Sequence, residues 1–180
     1  SGGVTVGAGK VLVGDDASFG TGTLSLASGT TVSSTAAVGS GNRTLANAFS
    51  MGGSLTLGDG TNSGKLTFGG QGSLSAATTL TALSEVEFSR TVGGTGPLTK
   101  RGASNVILNE TGVAQTPFTG SLAIEEGSVV AAAGGVIGSG ITVVLGSGTN
   151  SGKLALGRNA VPVTLEPVSY THLRAHETRE

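Results

Sequence analysis

The sequence predicts an all-β protein built as a single stack of repeating coils, and three observations point there. The heptapeptide Gly-Thr-Asn-Ser-Gly-Lys-Leu occurs at residues 60–66 and again at 148–154. Self-similarity at a fixed spacing is the mark of a repeat array, whose function lies on extended surfaces. Glycine stands at 33 of 180 residues while aromatic residues make up 3%. Such a chain cannot fill a thick globular core with rings, but it can fill a narrow one with Leu, Val, Ile and Ala. Finally, short segments with apolar residues at alternate positions recur along the chain, the pattern of half-buried strands.

Taken in order, these segments are VLV at 11–13, TLSL at 23–26, SLTL at 54–57, KLTF at 65–68, VILN at 106–109, SLAI at 121–124, ITVVL at 141–145 and KLAL at 153–156. Glycine brackets nearly every one. The stretch LTALSEVEF at 80–88 is the nearest thing to a helix, but its Thr, Val and Phe content and its Glu85-Val86-Glu87-Phe88 alternation favour strand.

Spacing selects the topology. Strands begin near Gly53, Gly64 and Gly72, and again near Gly140 and Gly152. Antiparallel hairpins with two-residue turns would need Asn-Gly or Asp-Gly pairs, and Asp59-Gly60 is the only one. The long offset between the two heptapeptides fits instead several solenoid coils of roughly 20 to 25 residues each. Parallel strands stacked about 4.8 Å apart would give some seven coils. Gly64 and Gly152 are then corner residues, Leu66 and Leu154 the first core residues of the following strand. Asn62 and Asn150 are expected at the corner, where Asn can hydrogen-bond backbone of the neighbouring coil.

Residues 94–130 read GTGPLTKRGASNVILNETGVAQTPFTGSLAIEEGSVV. Gly94, Gly96, Leu98, Lys100 and Gly102, then Val106 and Leu108, then Phe118-Thr119-Gly120, Leu122, Ile124 and Gly127, closed by Val129-Val130, follow one recurring pattern. This segment resembles the autotransporter-associated β-strand repeat, also called the passenger-associated transport repeat. It departs from that pattern at Arg101, at the extra residues Val113-Ala114-Gln115, and in having Phe118 where Tyr is commoner. Residues 40–92 resemble the spacer that precedes such units, through Leu45-Ala46-Asn47-Ala48-Phe49 and Gly53-Ser54-Leu55-Thr56-Leu57-Gly58. The resemblance implies a right-handed parallel β-helix in the extracellular passenger of a large bacterial surface or secreted protein.

Charge and composition bound the chemistry. The net charge is −1 and charged residues make up 12%, so nothing favours attraction to nucleic acid or anionic lipid. No apolar run has the length of a membrane span. Cysteine is absent, which excludes disulfides, thiolate metal sites and cysteine catalysis. Glu85 and Glu87 lie two apart and so share a strand face; they read as a solvated edge pointing to water together. Lys100-Arg101 before Gly102 and Glu125-Glu126 before Gly127 read as charged corners. The acidic glycine turns at Asp15-Asp16 and Asp59 are the candidates for calcium, but Asp59 is replaced by Ser147 in the second copy, whereas a calcium array repeats its ligand. GTNSGK partly matches a phosphate loop, yet it is one residue short, Leu follows the Lys, and a strand follows the loop. No cofactor, metal or catalytic residue is assigned.

The tail from Val168 to Thr178 reads VSYTHLRAHET and resembles a translated sequencing adapter; residues 167–180 are expected to be artefactual and unpacked. It holds His172 and His176. Residues 1–166 are expected to form one β-helix fragment with open ends, monomeric within a longer chain. The expected role is a structural, non-catalytic stalk or adhesin segment, secreted or at the bacterial cell surface, facing an unknown surface, host or carbohydrate ligand. The alternatives are a carbohydrate-active β-helix enzyme, which would need convergent carboxylates, and a trimeric phage or surface fibre with an apolar outer stripe.

Overall fold

A computed structural model describes residues 2–35, 41–62, 64–110, 118–132, 137–138 and 140–156. Val113-Ala114-Gln115, Ser63 and the tail with His172 and His176 lie outside these residues. Among the described residues every element is a strand, and every pairing between named strands is parallel. The chain is a β-solenoid.

Pairing arranges the strands on three sides of the coil. On the first side Val4 aligns with Leu24, Leu24 with Phe49 and Phe49 with Gly72, steps of 20, 25 and 23 residues. On the second side Thr30 aligns with Leu55, Leu55 with Leu80, Leu80 with Lys100, Lys100 with Ile124 and Ile124 with Leu145. The long strands Phe49–Leu57 and Gly72–Ala82 run through both sides, with their pairing shifted between Met51 and Gly53. The third side is a separate six-stranded sheet that runs from Arg43–Leu45 to Gly152–Leu156.

The repeated heptapeptide falls into this frame directly. Leu66 aligns with Val86, Val86 with Val106, Val106 with Val129 and Val129 with Leu154. The two copies are therefore four coils apart at the same corner, between the second and third sides. The coils vary in length because insertions collect at corners, where a longer loop changes no ladder register.

Alternation within each strand turns one set of residues inward. Leu45, Phe68, Phe88, Leu108 and Ala131 form one inward column, all buried. Phe49, Phe68 and Phe88 meet with ring centroids 5.0, 5.5 and 5.3 Å apart. Three of the five phenylalanines thus sit in one cluster. Tilted and offset ring pairs add to the area they bury, which suits a core too thin for many large side chains. The eight apolar segments predicted from the sequence all coincide with strands or their immediate ends. Over 80–88 the chain makes two strands on different sides, with a corner at Leu83, Ser84 and Glu85 between them.

Candidate functional site

The corner that carries the heptapeptide was the strongest sequence signal. Each copy follows a strand that ends at Leu57 or Leu145 and a glycine with positive φ, Gly58 at 87° and Gly146 at 83°. Only glycine takes that conformation without strain. The next four residues turn the chain in both copies but not alike: Gly148 has positive φ and Gly60 does not, and only Ser147 and Asn150 bridge each other in both directions. Asp59 N–H donates to Asn62 O at 3.4 Å, and Ser147 N–H donates to Asn150 O at 3.1 Å. Gly64 and Gly152 then pass so close to the previous coil that a Cβ on them would run into the carbonyl of Gly41 or of Ile124. Leu66 and Leu154 follow on the third side, the first buried and the second half-buried.

The side chains diverge. Asp59 Oδ1 accepts from the Thr61 and Asn62 amides, and Asp59 Oδ2 accepts from Asn62 Nδ2 at 3.0 Å and pairs with Lys10 Nζ at 2.6 Å. The Lys10 ammonium and these amides hold the carboxyl well below the usual carboxylate range. Both oxygens of the calcium candidate are thus engaged by protein donors. Asn62 therefore binds its own turn, contrary to the neighbouring-coil role expected of it; it is its carbonyl that accepts from the previous coil, from Ser33 Oγ at 2.6 Å. Asn150 is exposed, and its side chain has no hydrogen-bond partner among the described residues.

The cross-coil asparagines are others. Asn47, buried, donates from Nδ2 to Gly22 O at 2.7 Å and Gly20 O at 3.1 Å. Asn42 Oδ1 accepts from Lys65 N–H at 3.0 Å. Sequence reasoning singled out Asn62 and Asn150 because they repeat, whereas Asn47 does its work once.

Glu85 and Glu87 were read as pointing to water together. They meet Lys65 instead, one coil away. Lys65 Nζ pairs with Glu87 Oε2 and lies 3.5 Å from Glu85 Oε1, while Asn109 donates to Glu87 Oε1 at 2.9 Å. The bond from Lys65, helped by Asn109, lowers the Glu87 pKa against the opposing effect of burial. Lys65 is raised: desolvation pushes it down, and the two carboxylates more than offset that.

The reading of Lys100-Arg101 as a charged corner holds for one residue of the two. Arg101 is exposed, and its Nε donates to Glu125 Oε2 at 2.6 Å. Lys100 points inward in the column Leu55, Leu80, Lys100, Ile124 and is 1% exposed. Its Nζ donates to Arg101 O at 2.9 Å, Gly102 O at 2.5 Å and Glu126 O at 2.9 Å. Burial pushes its pKa down to about 8, with the nearby Glu126 charge opposing. The signal for an inward Lys100 was present in the sequence: it lies two residues after Leu98, on the same strand face.

The remaining repeat residues are also placed. Leu98 is half-buried on the second side, and Phe118 is buried on the first, bridged to Gly94 and Ile137. Gly102 and Gly127 make successive second-to-third corners, while Gly120 packs on Gly96. Among the described residues each carboxylate at the heptapeptide corners and at the 100–127 corner has a structural partner: an amide, an amine or a guanidinium. What this arrangement does chemically is hold coil to coil. No family model, no curated protein and no solved structure matches this chain.

Proposed function

We propose that this chain is a structural segment of a large bacterial secreted or surface-displayed passenger of the autotransporter kind, serving as a stalk that carries adhesive or other modules away from the cell. One observation carries the reading. The two halves of the segment that resembles the passenger-associated repeat stack on each other in register: Leu98 on Leu122, Lys100 on Ile124 and Val106 on Val129. A motif that packs against its own continuation is a unit of extension. It can be added or removed in coils without altering the rest, which suits a spacer of adjustable length.

Inserting an epitope between Gly148 and Thr149, in an exposed turn, in the full-length gene gives a direct test. The expected outcome is antibody labelling of intact cells and loss of label on mild protease treatment. An epitope reached only after lysis overturns the proposal. Turnover of an acidic polysaccharide by the purified protein would favour the carbohydrate-active alternative.

A further inference from the structure

Among the described residues the stack is not joined equally at every junction. From Phe49 to Ala82 two long strands run side by side over both the first and second sides. Further along, the first side narrows: Val92–Gly93 pairs with two residues of the previous coil, and beyond it the described residues offer only the isolated bridges Gly94 to Phe118 and Phe118 to Ile137. The coil that begins near Gly94 and the next one thus share little first-side ladder among the described residues.

At the second-to-third corner of that same junction side chains tie the two coils together. Lys100 Nζ reaches the Glu126 carbonyl of the next coil while holding Arg101 O and Gly102 O of its own. Glu126 Oε2 reaches back to accept from Gly102 N–H at 3.2 Å. Outside, Arg101 pairs with Glu125, whose amide donates to Lys100 O at 2.9 Å. An ammonium has three donors, and here three carbonyl oxygens receive them. A cation sealed among carbonyls in a dry corner is held strongly, and leaving those carbonyls without it is costly.

We propose that Lys100 is an internal cationic clasp: its ammonium ties the carbonyl oxygens of two successive coils together and makes that junction open as one unit. The clasp stands whatever the stack is used for.

Lys100→Met keeps most of the volume and removes the charge and all three donors. Residue-resolved hydrogen exchange on the 180-residue chain should show about tenfold to a hundredfold faster exchange at the Glu125, Gly102 and Leu98 amides. The Leu24 and Gly58 amides, in earlier coils, should keep their wild-type rates. Unchanged exchange at Glu125 and Gly102 overturns the clasp, and so does a uniform rise along the chain, which would make Lys100 an ordinary core residue. Should the variant fail to fold, the wild type decides. One of the four lysines should show an Nζ proton signal protected from solvent exchange and coupled across a hydrogen bond to the Glu126 carbonyl; four freely exchanging ammonium groups overturn the proposal.

Discussion

The same seven residues stand at 60–66 and at 148–154, on the same corner of the solenoid, and among the described residues only the first copy is held by side chains of other coils. Around the first, Asp59 ties the turn to Lys10 and Asn62, Ser33 holds the Asn62 carbonyl, Asn42 holds the Lys65 amide, and Glu87 takes the Lys65 ammonium. Around the second, Ser147 replaces Asp59, and Asn150 and Lys153 are exposed with no side-chain partner among the described residues. The backbone turn also differs, with Gly148 but not Gly60 at positive φ and a two-way Ser147–Asn150 bridge in the second copy only. What the two corners share is the positive-φ glycine before the turn and the close-packed glycine after it. What welds the turn to the stack comes from residues outside the heptapeptide, most of them on other coils.

The contrast is tested most strongly in the core. Leu66 is fully buried and Leu154 half-buried. Replacing Leu66 by Ala should cost about 2–5 kcal/mol in denaturant unfolding, the range for emptying a filled core site. The same change at Leu154 should cost about 1 kcal/mol, since less apolar surface is returned to water. Equal losses would mean that the two corners are packed alike, and that their difference is confined to polar contacts.

A smaller effect is expected from exchanging the residue before the heptapeptide. Asp59→Ser gives the first corner the residue of the second and removes both the turn carboxylate and the Lys10 pair. The melting temperature should fall. Ser147→Asp supplies the carboxylate to the second turn and should raise it, by less, because no lysine stands opposite as Lys10 does. A neutral Asp59→Ser would show that the Lys10 pair is screened to nothing, as many exposed pairs are.

The Lys65 and Glu87 pair gives the first corner a pH dependence. Glu87 is lowered from its ordinary 4.5 in the folded chain, so its contribution is fully present above about pH 4.5 and is lost as pH falls through the lower folded value. Lys65 is raised, so its share is present below the ordinary 10.5 and is lost as pH rises through the folded value. Thermal unfolding followed from pH 6 to pH 3 should show a steeper loss for the wild type than for Glu87→Gln, whereas Lys153→Met should leave the profile unchanged. Parallel acid limbs for wild type and Glu87→Gln would remove the pair from the account.

Strand positions were legible in the sequence because alternation is a local property: Leu24, Leu55, Leu66, Leu122 and Leu154 announce their strands through immediate neighbours. The coil axis was legible through the duplicated heptapeptide alone. Partners were not. That Lys65 meets Glu87 follows from Leu66 aligning with Val86, and a register between coils of unequal length is not written in either segment. Lys100 was misread for a different reason. Its charge was weighed and its parity with Leu98 was not, although a long side chain can bury its stem and still place its ammonium among corner carbonyls.

The asparagines give the smallest expected effect and the cleanest separation of repetition from role. Asn62 and Asn150 occupy one position in identical heptapeptides, and both were expected to stabilise the corner through the neighbouring coil. Asn62 donates to Asp59 at 3.0 Å and lies half-buried; Asn150 faces water. Asn62→Ala removes one hydrogen bond to a carboxylate at the surface and should lower the melting temperature slightly. Asn150→Ala should leave it within error, since neither residue needs positive φ, the conformation that favours Asn over Ala. In the Asp59→Ser background Asn62→Ala should also become silent, because its partner is gone; a double-mutant cycle reads that coupling directly. A loss at Asn150 equal to that at Asn62 would return the role to the repeated residue itself and take it from the neighbour that only one copy has.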